Sequence, residues 1–102
     1  MIYAVDFDGT ICEHEFPNIG APKKDVISFI KKEHANGEKI ILWTCRKGVY
    51  LEQALLWCLT HDIPLDAVNE NLPGLGFDTS NKIYADVYID DRSINPTSES
   101  LG

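Results

Sequence analysis

The sequence predicts an α/β fold, a Rossmann-like three-layer α/β/α sandwich around a central parallel sheet, made by a single domain spanning residues 1–102. Three observations predict it. Short apolar runs rich in β-branched and aromatic residues recur along the chain and stop abruptly at polar residues, as strands buried on both faces do. Between these runs lie segments whose apolar residues repeat at helical spacing. Strands alternating with helices favour right-handed crossovers, a parallel sheet and helices on both of its faces.

The first run, Ile2-Tyr3-Ala4-Val5, ends at Asp6. From Phe7 to Pro22, residues such as Gly9, Pro17, Asn18 and Gly20 break every period. The stretch 11–22 is therefore expected to form a short flap loop with room for a hairpin. Between Lys23 and Asn36, residues Val26, Ile27, Phe29 and Ile30 share one helical stripe, and Gly37 stands where a left-handed cap ends a helix. Ile40-Ile41-Leu42-Trp43 is the next strand and ends at Thr44, after which Leu51, Ala54, Leu55 and Cys58 mark a second helix. Ile63-Pro64 closes that region, Ala67-Val68 reads as a weak strand, and 72–81 reads as a loop with Pro73, Gly74 and Gly76. Ala85, Val87, Tyr88 and Ile89 form the last strand, which runs into Asp90-Asp91, and 95–102 is a polar, mobile tail. Trp43 and Trp57 are expected in the core, with His34 and His61 at helix ends.

Composition narrows the function classes. Hydrophobic residues at 44% and charged residues at 25% are the balance of an ordinary globule with one modest core. The longest uncharged apolar stretch, Ala54 to Leu59, falls far short of the ~20 residues that span a bilayer, so no membrane partner is expected. The run Ile2 to Val5 is cut off by Asp6 before it reaches signal-peptide length, and a cytoplasmic location is expected. Cys12, Cys45 and Cys58 contain no Cys-x-x-Cys pair, which speaks against a disulfide framework or zinc site; Cys45, after an apolar strand, reads as a small buried residue. Sixteen acids against nine bases give a net charge of -7, a field that disfavours nucleic acid as a partner.

In open parallel sheets ligands bind at the carboxyl ends of the strands. The predicted fold brings Asp6, Asp8, Thr44, Asp90 and Asp91 to that edge. Carboxylates forced together hold a proton or bind a cation, and a hard divalent ion that keeps water in its shell is the natural resident, which makes Mg2+ the expected cofactor. Phosphoryl oxygens readily replace such waters, so a phosphate ester is the expected substrate class. An aspartate can itself attack phosphorus, a role that Asp6 suits, and a carboxyl two residues on, Asp8, can serve as general acid and base. Thr44 and Lys82 are candidates for neutralising the equatorial oxygens. Arg46, whose planar fork suits oxyanions, is a further phosphate-binding candidate, and Lys47 beside it is an alternative cation.

The string Asp6-Phe7-Asp8-Gly9-Thr10, the strand-terminal Thr44, the isolated Lys82 and the pair Asp90-Asp91 resemble the four ordered motifs of the haloacid dehalogenase superfamily. The resemblance covers residues 2–92, nearly the whole chain. It implies that Asp6 is nucleophile and magnesium ligand, and that Asp8 is acid and base while lending its backbone carbonyl to the metal. It further implies that Thr44 and Lys82 hold the phosphoryl group, that Asp90 ligates the metal directly, and that Asp91 does so through water or orients the shell. Retention of Asp8 points to phosphatase or phosphomutase chemistry, since the ATPase and dehalogenase branches usually lack it. Neither gap between motifs has room for a cap domain, so the chain resembles a capless member with an open site. Such a site takes a large substrate or is closed by a second subunit, and the loop 11–22, with Glu13, His14, Glu15 and Asn18, is placed to touch substrate.

Two other readings compete. A phospho-accepting receiver domain shares the acidic cluster, threonine and lysine, but its motif order differs from the one here. A catalytically inactive, metal-binding relative would keep the scaffold without turnover.

Overall fold

The computed structural model describes residues 1–70 and 85–90, and the backbone of 94–96. Along the chain run β1 (Ile2–Val5), β2 (Cys12–Glu15), β3 (Asn18–Pro22), α1 (Lys24–Ala35), β4 (Lys39–Leu42), α2 (Gly48–Thr60), β5 (Ala67–Val68), β6 (Val87–Ile89) and β7 (Ile94–Pro96). Among the described residues five strands form one sheet in the order β5-β4-β1-β6-β7, and β2 and β3 form a separate hairpin. The first four strands of that order are parallel, and β7 is antiparallel. This is the α/β architecture expected from the alternation of strand and helix.

Register explains the core. Tyr3 lies level with Ile40 and Val87, and Val5 with Leu42 and Ile89, so all six side chains share one face of the sheet. They pack in a single buried cluster with Ile27 and Ile30 of α1 and with Ala54 and Cys58 of α2. Both helices therefore cover the same face. Right-handed crossovers require this, because β1 to β4 and β4 to β5 step across the sheet in the same direction. On the opposite face Ala4 and Ile41, partners in register, are also fully buried. Among the described residues no helix covers this second face, and the loop expected at 72–81 lies outside the described residues.

Both helices end in the same way. Glu38 N–H reaches back to the Glu33 carbonyl at 3.1 Å and Gly37 N–H to His34 at 3.0 Å, a Schellman closure with Gly37 at φ 93° as its left-handed residue. At α2 Ile63 bonds Cys58 and Asp62 bonds Leu59 in the same pattern, with Asp62 at φ 57° in place of a glycine. Ile63 and Cys58 both enter the core cluster, so burial compensates for the poorer cap residue.

The flap expected at 11–22 takes the form of the β2–β3 hairpin, turning at Phe16 and Pro17, with a shift in pairing between Cys12 and His14 that keeps a strand period out of the sequence. Other expectations are corrected. The expected tail from 95 begins inside β7, where Asn95 pairs with Tyr88; a three-residue strand shows no period, and Pro96 is tolerated at an edge. Trp43 is half exposed rather than core, because β4 ends at Leu42 and Trp43 stacks edge-on against Tyr88 at the sheet's rim. Trp57 meets the expectation in part, packing at 5.6 Å against Phe7 from the margin of the core.

Candidate active site

The two neighbours of β1 diverge in connectivity. β4 is the next strand of the same sheet along the chain, whereas β6 is reached only after the chain has passed through β5, so the order of the chain reverses between β1 and β6. Such a switch point opens a crevice at the carboxyl ends of the strands. Asp6 and Asp90 straddle it: Val5 pairs with Ile89, and Asp6 N–H donates to the Ile89 carbonyl at 3.0 Å, which puts the two aspartates at one level on adjacent strands. On the other side Trp43 N–H donates to the Val5 carbonyl at 2.9 Å, and Thr44 follows.

Past Asp6 the chain turns sharply. Thr10 and Ile11 N–H groups both bond the Phe7 carbonyl, and Gly9 takes φ 85°, a conformation that costs a side chain about 1–2 kcal/mol. The turn sets Asp8 beside Asp6 in a cleft of about 490 Å³ that is also lined by His14, Phe16, Thr44, Cys45 and Arg46. A second cleft of about 360 Å³ shares Asp6, Thr44 and Cys45 and extends under Trp43 and Tyr88 to Asp90. The hairpin thus walls one side of the site and a pair of aromatic rings the other.

Thr44 is buried and held from both ends. Its N–H donates to Asn69 Oδ1 at 2.8 Å and its Oγ1 accepts from Arg46 N–H at 3.1 Å. Asn69 sits directly after β5 at φ 52° and bonds the Leu42 carbonyl at 2.8 Å, so it braces the loop that carries Thr44. Sequence reasoning missed it, although an asparagine closing a strand is a known left-handed residue. Lys23 was missed as well: its Nζ donates to the Gly9 carbonyl at 2.8 Å and ties the turn after Asp8 to the start of α1.

Arg46 does not offer its fork to an oxyanion. Nε and Nη2 donate to the two oxygens of Asp8 at 2.8 and 2.7 Å, and its other bonds go to the carbonyls of Pro17, Asn18 and Tyr50. With five N–H donors on five acceptors, no donor is left for phosphate. The Asp8 hydrogen bond is also the main reason that its pKa rises, overcoming the opposing effect of burial. Cys45, expected to be buried, is exposed in the cleft because it leaves the sheet with Trp43; Cys12 and Cys58 are buried. Lys82 and Asp91 lie outside the described residues.

The donor set suits a hard cation. Among the described residues no group of three or more His, Cys, Asp and Glu side chains is arranged to enclose a metal, as a structural zinc site would require. Magnesium needs only one or two carboxylates and keeps water, and Asp6 with Asp90 fits that demand. Among the described residues no helix is long and apolar enough to cross a membrane.

No family model matches the chain, and no curated protein matches it. A solved structure does. A conserved protein coded by a locus of Bacteroides thetaiotaomicron superposes with a TM-score of 0.80 at 39% identity, over 91% of this chain and 77% of that one. At that identity and coverage, the chain belongs to the family of this conserved Bacteroides protein.

Proposed function

We propose that the protein is a magnesium-dependent phosphohydrolase of the haloacid dehalogenase type, acting on a phosphomonoester through an aspartyl phosphate on Asp6. One observation carries the reading: Asp6 and Asp90 flank the switch point at one level, and Asp6 and Thr44 line both of two adjoining clefts, one bounded by Asp8 and the other by Asp90. A carboxylate Oδ of Asp6 bonds to phosphorus as the ester P–O bond breaks, and Asp8 passes a proton to the departing oxygen. Asp8 then takes a proton from the water that cleaves the acyl phosphate, releasing phosphate and restoring Asp6. Thr44, fixed by Asn69 and Arg46, offers its hydroxyl to a phosphoryl oxygen. Asp6, Asp90 and the Asp8 carbonyl would hold Mg2+, which when bound neutralises charge on the transferring group.

The strand order favours this reading over a receiver domain. With the hairpin set aside, the parallel strands run 3-2-1-4 in order of appearance, whereas receivers are built 2-1-3-4-5. The expected result is release of inorganic phosphate from p-nitrophenyl phosphate that requires Mg2+, stops with chelator and is lost in Asp6→Asn. Undiminished turnover in Asp6→Asn would remove Asp6 as nucleophile. Absence of any release by the folded wild type would favour an inactive metal-binding protein.

A further inference from the structure

Arg46 follows Thr44 by two residues, yet its guanidinium spends every donor inside the protein. Two go to the Asp8 carboxylate in a side-on fork, two reach the Pro17 and Asn18 carbonyls at the tip of the β2–β3 hairpin, and one reaches Tyr50 in the first turn of α2. Phe7 and Phe16 lie against the group, with ring centroids 5.2 and 4.9 Å from its central carbon. The side chain is 1% exposed and that of Asp8 16%. A single planar cation therefore joins the proposed acid/base, the hairpin that walls the cleft and the helix behind it.

We propose that Arg46 is a positioning residue that fixes the Asp8 carboxylate and the hairpin tip as one unit, setting the line along which Asp8 exchanges a proton with the substrate. The proposal rests on the phosphohydrolase reading. A carboxyl group gripped at both oxygens cannot rotate about its own axis, so the proton that Asp8 gives to the leaving oxygen, and later takes from water, sits on a remaining lone pair of fixed direction. Without the fork the carboxylate turns freely, and proton transfer to the leaving oxygen loses its alignment. The Phe16 ring and the Pro17 and Asn18 carbonyls lose their anchor in the same event.

This makes a prediction that a purely structural role does not. A p-nitrophenolate leaves without a proton, whereas an alkoxide needs one, so loss of Asp8 alignment falls on alkyl esters. The test measures kcat/KM, which covers the chain of events up to departure of the leaving group, with p-nitrophenyl phosphate and with an alkyl phosphate such as 2-phosphoglycerol. Arg46→Lys keeps the charge and the stem but cannot grip two oxygens. It should lower kcat/KM for the alkyl ester by ~10²-fold or more, the low end of what general acid catalysis supplies, and for the aryl ester by less than about tenfold. Arg46→Ala should show the same split, with the alkyl activity partly restored by added guanidinium ion. Equal losses on both esters, or an Arg46→Lys protein indistinguishable from wild type on the alkyl ester, would overturn the positioning role while leaving the phosphohydrolase reading intact. A wild type inert toward both esters with Mg2+ present would overturn the two together. If Arg46→Ala fails to fold, the comparison rests on Arg46→Lys.

Discussion

Cys45, Cys12 and Cys58 are chemically identical residues that their surroundings separate. Burial pushes the Cys58 thiol up to about 12 and also raises that of Cys12, whereas Cys45 stands exposed between Thr44 and Arg46. Only a thiolate reacts readily with a disulfide reagent, and access is needed as well. In the folded protein one thiol of the three should react quickly with Ellman's reagent, and Cys45→Ser should abolish that phase; all three should react in denaturant. Two fast thiols in the folded state would contradict the burial of Cys12 or Cys58. The same contrast applies to Arg46 and Thr44, neighbours in sequence whose roles diverge because one side chain turns into the hairpin and the other bounds the cleft.

At the scale of the element, the hairpin walls one side of the cleft with His14 and Phe16. Its strands approach so closely at Gly20 that a Cβ built there would overlap the Glu13 carbonyl oxygen and crowd the side chains of Glu13 and Glu15. Gly20→Ala should therefore displace the outer part of the hairpin, which joins the core only through Cys12 and Ile19, while β1, β4, β6, α1 and α2 keep their packing. The displaced tip carries Phe16 and the carbonyls that hold Arg46, and a misplacement of about 1 Å can cost up to ~10²-fold in rate. The expected outcome is a fall in kcat/KM toward 2-phosphoglycerol with an unchanged far-ultraviolet circular dichroism spectrum. Unchanged kinetics would show that the hairpin does not shape the site.

For the whole molecule, charge couples the site to stability. The chain carries a net charge of -7, and the fold sets Asp6 and Asp90 side by side at the switch point. A cation that binds only the folded state stabilises it by about 2.7 kcal/mol at a hundred times its dissociation constant, and a domain of this size shifts its Tm by roughly 4–8 °C per kcal/mol. Addition of Mg2+ should raise the Tm by on the order of 10 °C, and Asp90→Asn should remove most of that rise. A Tm indifferent to Mg2+ in the wild type would count against a magnesium site between these strands.

Element types were legible because the periods that distinguish strand from helix are complete within a few residues. Ile2 to Val5, Ile40 to Leu42 and the stripe from Val26 to Ile30 each carry their own pattern, and Gly37 marked its helix end unaided. The placing of Asp6, Thr44 and Asp90 at strand ends followed from the same local reading. The strand bounds and pairing of the hairpin at 12–22, the short edge strand at Ile94–Pro96 and the exposure of Trp43 and Cys45 were not legible, since irregular pairing, brevity and the end of a strand leave no period. Nor was the fate of Arg46: its partner Asp8 is 38 residues away, and a guanidinium takes whichever acceptors the topology brings to it. Local sequence thus determined which segments become strands and helices and which residues stand at their ends. Only the tertiary structure decided which strands are neighbours, and so which carboxylate meets a second carboxylate and which meets an arginine.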